Sequence, residues 1–107
     1  MNAKFHPEAR SELRRAATYF DEQRAGAGAR LIHAIRETVQ KAASSPHAGA
    51  PWFAVPVELE VRRRRVPGFK YMSIAYTVVD DTLWLIAVVH DRRRPGYWFH
   101  RLDDLPR

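Results

Sequence analysis

The spacing of apolar residues in the first half of the chain predicts two amphipathic helices. Pro7 suits the first turn of a helix, and from Ala9 the apolar positions recur at 9, 13, 16, 17 and 20, with Glu12 on the polar face. Alanines and glycines at 25–28 separate this first helix from a second one, which begins near Ala29 and ends before Pro46. The predicted buried face of that helix is Leu31, Ile32, Ile35, Val39 and Ala42. The two helices should form a helical hairpin.

The second half of the chain predicts three strands, at residues 57–66, 69–79 and 82–90. The links between them, Pro67-Gly68 and Asp80-Asp81, are turn dipeptides too short for a parallel crossover, so the strands should form an antiparallel meander. Residues 46–57 contain three prolines and cannot be a regular central element, whereas Lys4-Phe5 could be a short edge strand. The pattern therefore predicts an α+β two-layer domain ordered β-α-α-β-β-β, with the helical hairpin packed on a mainly antiparallel sheet.

Alternation along the strands predicts which side chains face the helices. The middle strand has one face made of Met72, Ile74, Tyr76 and Val78, and another made of Ser73, Ala75 and Thr77. We expect the hairpin to pack through Leu13, Phe20, Leu31, Ile35 and Val39 against Ile74, Tyr76, Leu85 and Ala87. In the preceding strand Leu59 and Val61 mark the core side, so Arg62 and Arg64 should face solvent, either free or paired with neighbouring glutamates.

The end of the last strand carries the densest group of polar side chains. Residues 83–89 are all apolar and predict a fully buried, rigid strand, which runs directly into His90 and the arginines at 92–94. Alternation places His90 on the same face as Trp84 and Ile86. Cations and aromatics held on a rigid support suit an anionic surface or a protein interface, although a single histidine at a strand end is often structural.

Charge strengthens this interpretation, because the net charge of +6 lies in one part of the sequence. Residues 62–101 hold nine Arg/Lys and three Asp, which accounts for the whole excess. A basic field of this kind speeds association with polyanions or acidic proteins. The alternative is a solvated basic face that reflects general use of arginine.

Length and composition exclude several classes of protein. A chain of 107 residues should be one domain, residues 1–107, and the absence of cysteine excludes disulfides, thiolate metal sites and a cysteine nucleophile. No signal segment or apolar run of membrane-spanning length is present, so we expect a soluble, cytoplasmic protein. The remaining histidines lack metal-ligand spacing, and neither a Ser-His-Asp pattern nor a phosphate loop occurs, so we expect no metal and no cofactor.

A series of residues spread over nearly the whole chain has the order found in one superfamily. The series is Phe5, Ala9, Tyr19-Phe20, Pro46, a basic strand, Tyr71, Tyr76, Val88-Val89-His90, the arginines that follow, Pro95 and Trp98. In these features the chain resembles the RelE/ParE superfamily, the toxins of type II toxin–antitoxin modules, often labelled plasmid stabilisation proteins. The resemblance implies the fold predicted above, growth inhibition, and a co-encoded acidic antitoxin that forms a hetero-oligomer with the toxin.

The resemblance leaves two targets and a third possibility open. ParE-like members are gyrase inhibitors that need only a binding surface, and His90 followed by arginines and Pro95 is slightly more similar to that branch. RelE-like members are mRNA interferases that cleave messenger RNA on the ribosome. The catalytic groups for such cleavage could come from Arg62 or Arg64, from Arg92 or Arg93, and from Tyr97 or His90. Ser73 stands where that branch has a cation, and only Lys70 is nearby. The third possibility is a nontoxic basic domain that only assembles with an antitoxin.

The favoured hypothesis is therefore a ParE-like toxin that binds DNA gyrase and has no catalytic residues, with the endoribonuclease as the alternative. The residues expected to bind the target are Arg62, Arg64, His90, Arg92, Arg93, Tyr97 and Trp98. For Trp98 and Phe99 the competing interpretation is that they anchor the C-terminal tail to the sheet.

Overall fold

Two helices pack on a five-stranded sheet in the computed structural model, which describes residues 1–52 and 58–106. The elements are β1 (Asn2–Phe5), α1 (Pro7–Gln23), α2 (Ala27–Ser44), β2 (Ala50–Pro51), β3 (Val61–Arg65), β4 (Met72–Val79), β5 (Thr82–His90) and a 3-10 helix, η1 (Phe99–Asp104). The strand order is β1-β5-β4-β3-β2, with β1 parallel to β5 and every other pair antiparallel. The predicted α+β fold and its element order are confirmed, with β2 as an additional two-residue edge strand.

The predicted boundaries of the first two meander strands were too wide. Residues 53–57 lie outside the described residues. They include the predicted start of the strand at 57–66 and part of the irregular stretch 46–57. The next strand begins at Met72 because two successive turns precede it. The N–H of Phe69 donates to the Val66 carbonyl at 3.1 Å, and the N–H of Met72 donates to the Phe69 carbonyl at 3.0 Å.

The helical hairpin depends on two local features of the sequence. Pro7 opens α1, and the Nδ1 atom of His6 caps the helix by accepting the N–H of Glu8 at 3.1 Å. A Cβ atom on Gly28 would lie 2.4 Å from the backbone oxygen of Ala17, so only glycine permits the close approach of the two helices. Helix α2 starts slightly earlier than predicted, at Ala27.

The β4–β5 hairpin confirms the predicted turn at Asp80-Asp81. Both residues have positive φ angles, 49° and 59°, as a two-residue type I′ turn requires. Aspartate tolerates this conformation better than most residues, and the backbone twist of the turn matches that of the strands. The hairpin therefore holds the end of β5 in a fixed position beside the start of β4.

A β-bulge in β5 interrupts the regular alternation of side chains. Ala75 pairs with Ala87, but the next residue of β4, Tyr76, pairs with Leu85, so Ile86 is the extra residue. One inserted residue sends every later side chain of the strand to the opposite face from the one that simple alternation predicts.

Two predictions were wrong because of this bulge. His90 pairs with Met72 and therefore faces the helices, whereas Trp84 and Ile86 face the other side of the sheet. Ala87 was expected to pack against the helices, but it belongs to the core on the opposite face. The bulge thus directs His90 towards α1, on the side where the candidate site lies.

Each face of the sheet has its own hydrophobic core. The helix-side core contains Leu13, Leu31, Ile35, Val39, Ile74, Tyr76 and Leu85, with Phe20 packed against it, which confirms the remainder of the predicted packing. The second core contains Val61, Ala75, Ile86, Ala87, Val89, Trp98, Leu102 and Leu105. The C-terminal tail, which includes η1, therefore covers the face of the sheet that the helices leave free.

Arg62 and Arg64 lie on the helix side of the sheet and do not face open solvent as predicted. They pair in register with Tyr76 and Ile74, and residues directly opposite each other on neighbouring strands share one face. Val61 does face a core, but it is the second core on the opposite face. The prediction assumed that the face with Leu59 and Val61 packs against the helices. That face is instead covered by the C-terminal tail, which the local pattern did not indicate.

Neither helix is both long and apolar enough to cross a membrane, a finding that covers the described part of the chain.

Candidate target-binding site

The segment after β5 is anchored at its first residue. The N–H of Asp91 donates to the Tyr71 carbonyl at 2.8 Å, and its carboxylate accepts the Ser73 hydroxyl at 3.2 Å. Arg65 lies 3.3 Å from the same carboxylate. These contacts with β3, β4 and the residue before β4 fix where the chain leaves the sheet, so the arginines at 92–94 start from a defined point.

Cations and a histidine surround the exposed ring of Tyr71. The guanidinium of Arg92 lies 5.0 Å from the centre of the Tyr71 ring, and the Lys70 ammonium lies 5.4 Å from it. The His90 ring is 6.1 Å away, and its Nδ1 atom accepts the N–H of Arg92 at 3.1 Å. We call His90, Arg92, Arg93, Lys70 and Tyr71 the strand-end surface.

A buried carboxylate from α1 lies directly behind this surface. Glu12 was predicted on the polar face of its helix, but only 6% of it is exposed. Its Oε1 atom accepts the N–H of Val88 at 3.1 Å and Arg101 Nη1 at 2.7 Å, and its Oε2 atom accepts the Tyr97 hydroxyl at 2.6 Å. Arg101 Nη2 and Arg93 Nη1 lie 3.2 and 3.5 Å from Oε2. These contacts supply the counter-charge and hydrogen bonds that a buried carboxylate needs.

The helical spacing of Glu12 could have revealed this position. It lies three residues after Ala9 and four before Ala16, the two spacings that bring side chains onto one face of a helix. Ala9 is buried and Ala16 packs against the helix-side core, so Glu12 lies at the edge of the apolar face. Residue type alone had assigned it to solvent, because an unpaired carboxylate does not remain in a core.

The contacts with Glu12 also change the acid–base properties of its partners. Burial, and then the hydrogen bond and charge of Glu12, raise the pKa of Tyr97 well above its usual range. Burial alone would lower the pKa of Arg101, but the hydrogen bonds and charge of Glu12, together with Glu8, raise it instead. The phenol therefore keeps its proton and Arg101 its charge throughout the physiological pH range.

An open groove of about 790 Å³ runs between α1 and the strand-end surface. Its apolar lining comes from Ala16, Phe20, Phe69, Met72 and Val88. Its basic residues are Arg15, Arg24, Lys70, Arg92 and Arg93. Tyr19 and Tyr71 also line it, and they are 59% and 42% exposed. An apolar surface bordered by cations suits a segment that presents both apolar and acidic side chains.

The structure brings together only some of the residues predicted to bind the target. His90, Arg92 and Arg93 line the groove, and Tyr97 lies behind them against Glu12. Arg62 is apart on β3, where it forms an ion pair with Glu60 and donates to the Gly49 carbonyl at 2.6 Å. Arg64 lines a separate hollow beside the C-terminal end of α2.

Trp98 is fully buried and has no surface with which to contact a target in this structure. Its ring packs edge-on against Trp52 at 5.4 Å and against Phe99 at 4.9 Å between ring centres. The alternative interpretation, in which Trp98 and Phe99 anchor the tail to the sheet, agrees with this packing.

Among the described residues, a group of potential metal ligands that local spacing in the sequence does not indicate lies at the start of α1. His6, Glu8 and Asp104 bring possible ligand atoms within 4.8 Å of one another. Because His6 Nδ1 accepts a backbone proton, neutral His6 carries its own proton on Nε2, which donates to Asp104 at 2.8 Å. Both ring nitrogens are therefore engaged, and the group joins η1 to α1 through hydrogen bonds.

Comparison with known families identifies the chain. The family described as the ParE toxin of the type II toxin–antitoxin system, parDE, matches residues 3–95. No protein of curated function matches the sequence. The match covers most of the chain, including α1, the meander and the strand-end surface, and it confirms the resemblance to the RelE/ParE superfamily. The chain belongs to the ParE toxin family of type II toxin–antitoxin systems.

Proposed function

We propose that this toxin inhibits growth by binding DNA gyrase through the strand-end surface, and that it carries out no covalent chemistry itself. The observation that supports binding over catalysis is the state of Tyr97. RNA cleavage needs a group that accepts and returns a proton near neutral pH. The Tyr97 hydroxyl instead donates to Glu12 at 2.6 Å, and its raised pKa keeps it protonated.

The position of Ser73 also argues against an RNA-cleaving site. Only 1% of Ser73 is exposed, and its hydroxyl donates to Asp91 on the face of the sheet opposite the helices. A cation there could not reach a substrate in the groove on the helix side. Arg65, the register partner of Ser73 on β3, lies 3.3 Å from the same Asp91 carboxylate, and Lys70 lies over the Tyr71 ring. The strand-end surface therefore has positive charge for binding, Tyr97 is held protonated behind it, which leaves His90 as the remaining candidate for proton transfer, and residue 73 faces away from the groove.

We further propose that the antitoxin, a partner which the family implies, lies in the groove. An amphipathic acidic segment would place apolar side chains on Phe20 and Phe69 and carboxylates beside the groove's arginines. Arg92 and Arg93 belong to both the groove and the strand-end surface, so a bound antitoxin would cover residues that gyrase needs. Neutralisation would then follow from direct competition, and the toxin would act in the cytoplasm, where gyrase acts on DNA.

The charge of the groove predicts how toxin–antitoxin association depends on salt. Raising the ionic strength from about 0.01 M to 1 M shortens the Debye length from about 30 Å to 3 Å. We expect the association rate, measured by stopped-flow mixing, to fall at least about tenfold over that range, because complementary charge mainly speeds encounter. A rate that does not change with salt would show that the basic residues take no part in the encounter.

Expression of the toxin without its antitoxin tests the proposed function in cells. Reporters of the DNA-damage response and of translation should be read separately after induction. Gyrase inhibition predicts a DNA-damage response that precedes any loss of translation. Early arrest of translation would favour the endoribonuclease, with His90 and Arg92 as the first catalytic candidates, whereas normal growth would favour a domain that only assembles with its antitoxin.

A further inference from the structure

We infer that Glu12 is a positioning residue, which holds the arginine-bearing segment 91–97 in the conformation that binds the target. The inference rests on the proposed function for its effect on gyrase, but its structural part can be measured separately. Glu12 is on α1, far from segment 91–97 in sequence, and does not belong to the strand-end surface. Its carboxylate nevertheless bonds to groups on both sides of that segment.

The contacts of Glu12 close a loop around segment 91–97. Before the segment, the Val88 N–H in β5 donates to Oε1 at 3.1 Å. After it, Arg101 donates to both carboxylate oxygens, at 2.7 and 3.2 Å. At its end, the Tyr97 hydroxyl donates to Oε2 at 2.6 Å. One buried carboxylate therefore links the last strand directly to the tail.

The segment itself contains little that could fix its conformation. Residues 91–95 are exposed, so apolar burial contributes little to their order. The backbone bonds there include Arg93 N–H to the His90 carbonyl at 2.9 Å and Tyr97 N–H to the Arg94 carbonyl at 3.3 Å. Bonds of this kind at a surface compete with water. Asp91 and Arg92 contact the start of β4 and His90, and the buried Trp98 follows the segment, whereas the side chains of Arg93 and Tyr97 are held by Glu12.

Arg93 transmits this order to the binding surface. Its guanidinium lies 3.7 Å from the centre of the Tyr97 ring and 3.5 Å from Glu12 Oε2, while about half of its side chain remains exposed. The buried carboxylate thus attracts Arg93 from behind and leaves its outer edge free for a partner. Loss of that charge would release Arg93 and Tyr97 together.

Backbone hydrogen exchange of the full-length toxin tests the inference in the variant Glu12→Gln. Glutamine keeps the size of the side chain and an acceptor for Val88, but it removes the charge that holds Arg101 and Arg93. The matched control is Glu8→Gln, one turn earlier on α1, whose carboxylate also lies 3.3 Å from Arg101 but is half exposed. We expect exchange at the amides of Arg93 and Tyr97 to rise about tenfold in Glu12→Gln and to stay near the wild-type rate in the control.

Tyr97→Phe provides a second variant in case Glu12→Gln is poorly folded. It removes the hydrogen bond of the phenol to Glu12 and its longer contact, 3.4 Å, with the Val88 carbonyl, but it leaves the charge pair of Glu12 with Arg101 intact, so the fold should be retained. A smaller but clear rise in exchange at the same amides supports the inference. Two results together would overturn the inference. They are exchange in segment 91–97 at the wild-type rate in Tyr97→Phe, and exchange in Glu12→Gln that is no faster than in the Glu8→Gln control.

Gyrase supercoiling distinguishes failure of this inference from failure of the proposed function. If wild-type toxin inhibits supercoiling, Glu12→Gln should need about tenfold more protein for the same effect, while Glu8→Gln should match the wild type. Equal inhibition by Glu12→Gln despite faster exchange would overturn the functional half of the inference. If the wild type does not inhibit gyrase, the proposed function fails, and the exchange data alone decide whether Glu12 orders the segment.

Discussion

Replacing Arg101 with methionine should lower the free energy of unfolding by about 3–5 kcal/mol, because Glu12 would remain buried without its main counter-charge. Arg101 is 5% exposed and contacts both oxygens of Glu12, so water could take its place only if the tail opened. A small domain has only about 5–15 kcal/mol of stability, and a loss of this size would leave it marginal. Denaturant unfolding followed by circular dichroism measures the change, and the exposed Arg94→Met is the matched control, expected within about 0.5 kcal/mol of wild type.

The double variant Glu12→Met with Arg101→Met separates charge from packing. Replacing both partners of a buried ion pair with apolar side chains of similar size is often close to neutral, so the double variant should recover much of the loss. Recovery will be incomplete because the N–H of Val88 loses its acceptor. If Arg101→Met costs no more than Arg94→Met, the carboxylate is not buried in solution as the structure has it.

Truncating Ile35 to alanine should destabilise the domain by about 2–5 kcal/mol. Ile35 is fully buried in the middle of α2 and belongs to the core between the helices and the sheet, so its truncation would leave a cavity there. Ile32→Ala is the control, since Ile32 is on the same helix but only partly buried. Equal costs for the two variants, measured by denaturant unfolding, would contradict the assignment of α2's buried face.

The elements that could be predicted from the sequence are those whose causes are local. Apolar residues at helical spacing identified the faces that bury Leu13 and Ile35, and both are buried. Asp80-Asp81 indicated a tight turn because aspartate tolerates positive φ angles, and the turn occurs there. In both cases the physical determinant lies within a few residues of the feature, so the order of residues alone was sufficient.

The features that were missed depend on contacts between distant parts of the chain. The bulge at Ile86 has no marker such as glycine, because the residue is a common strand former, and the error in the face of His90 followed from it. The burial of Glu12 depends on Arg101, 89 positions later, and a local pattern cannot supply a partner at that separation. The orientation of Arg62 depended in the same way on a tail that covers the other face of the sheet.

DNA supercoiling by purified gyrase is the most direct test of the central claim, with cleavage of messenger RNA on translating ribosomes measured beside it. The account predicts that the toxin inhibits supercoiling and leaves the message intact. It also predicts that Arg92→Ala with Arg93→Ala weakens inhibition about tenfold or more, whereas Arg30→Ala with Arg36→Ala on the exposed side of α2 does not. Cuts in messenger RNA at specific codons, with supercoiling unaffected, would contradict the account.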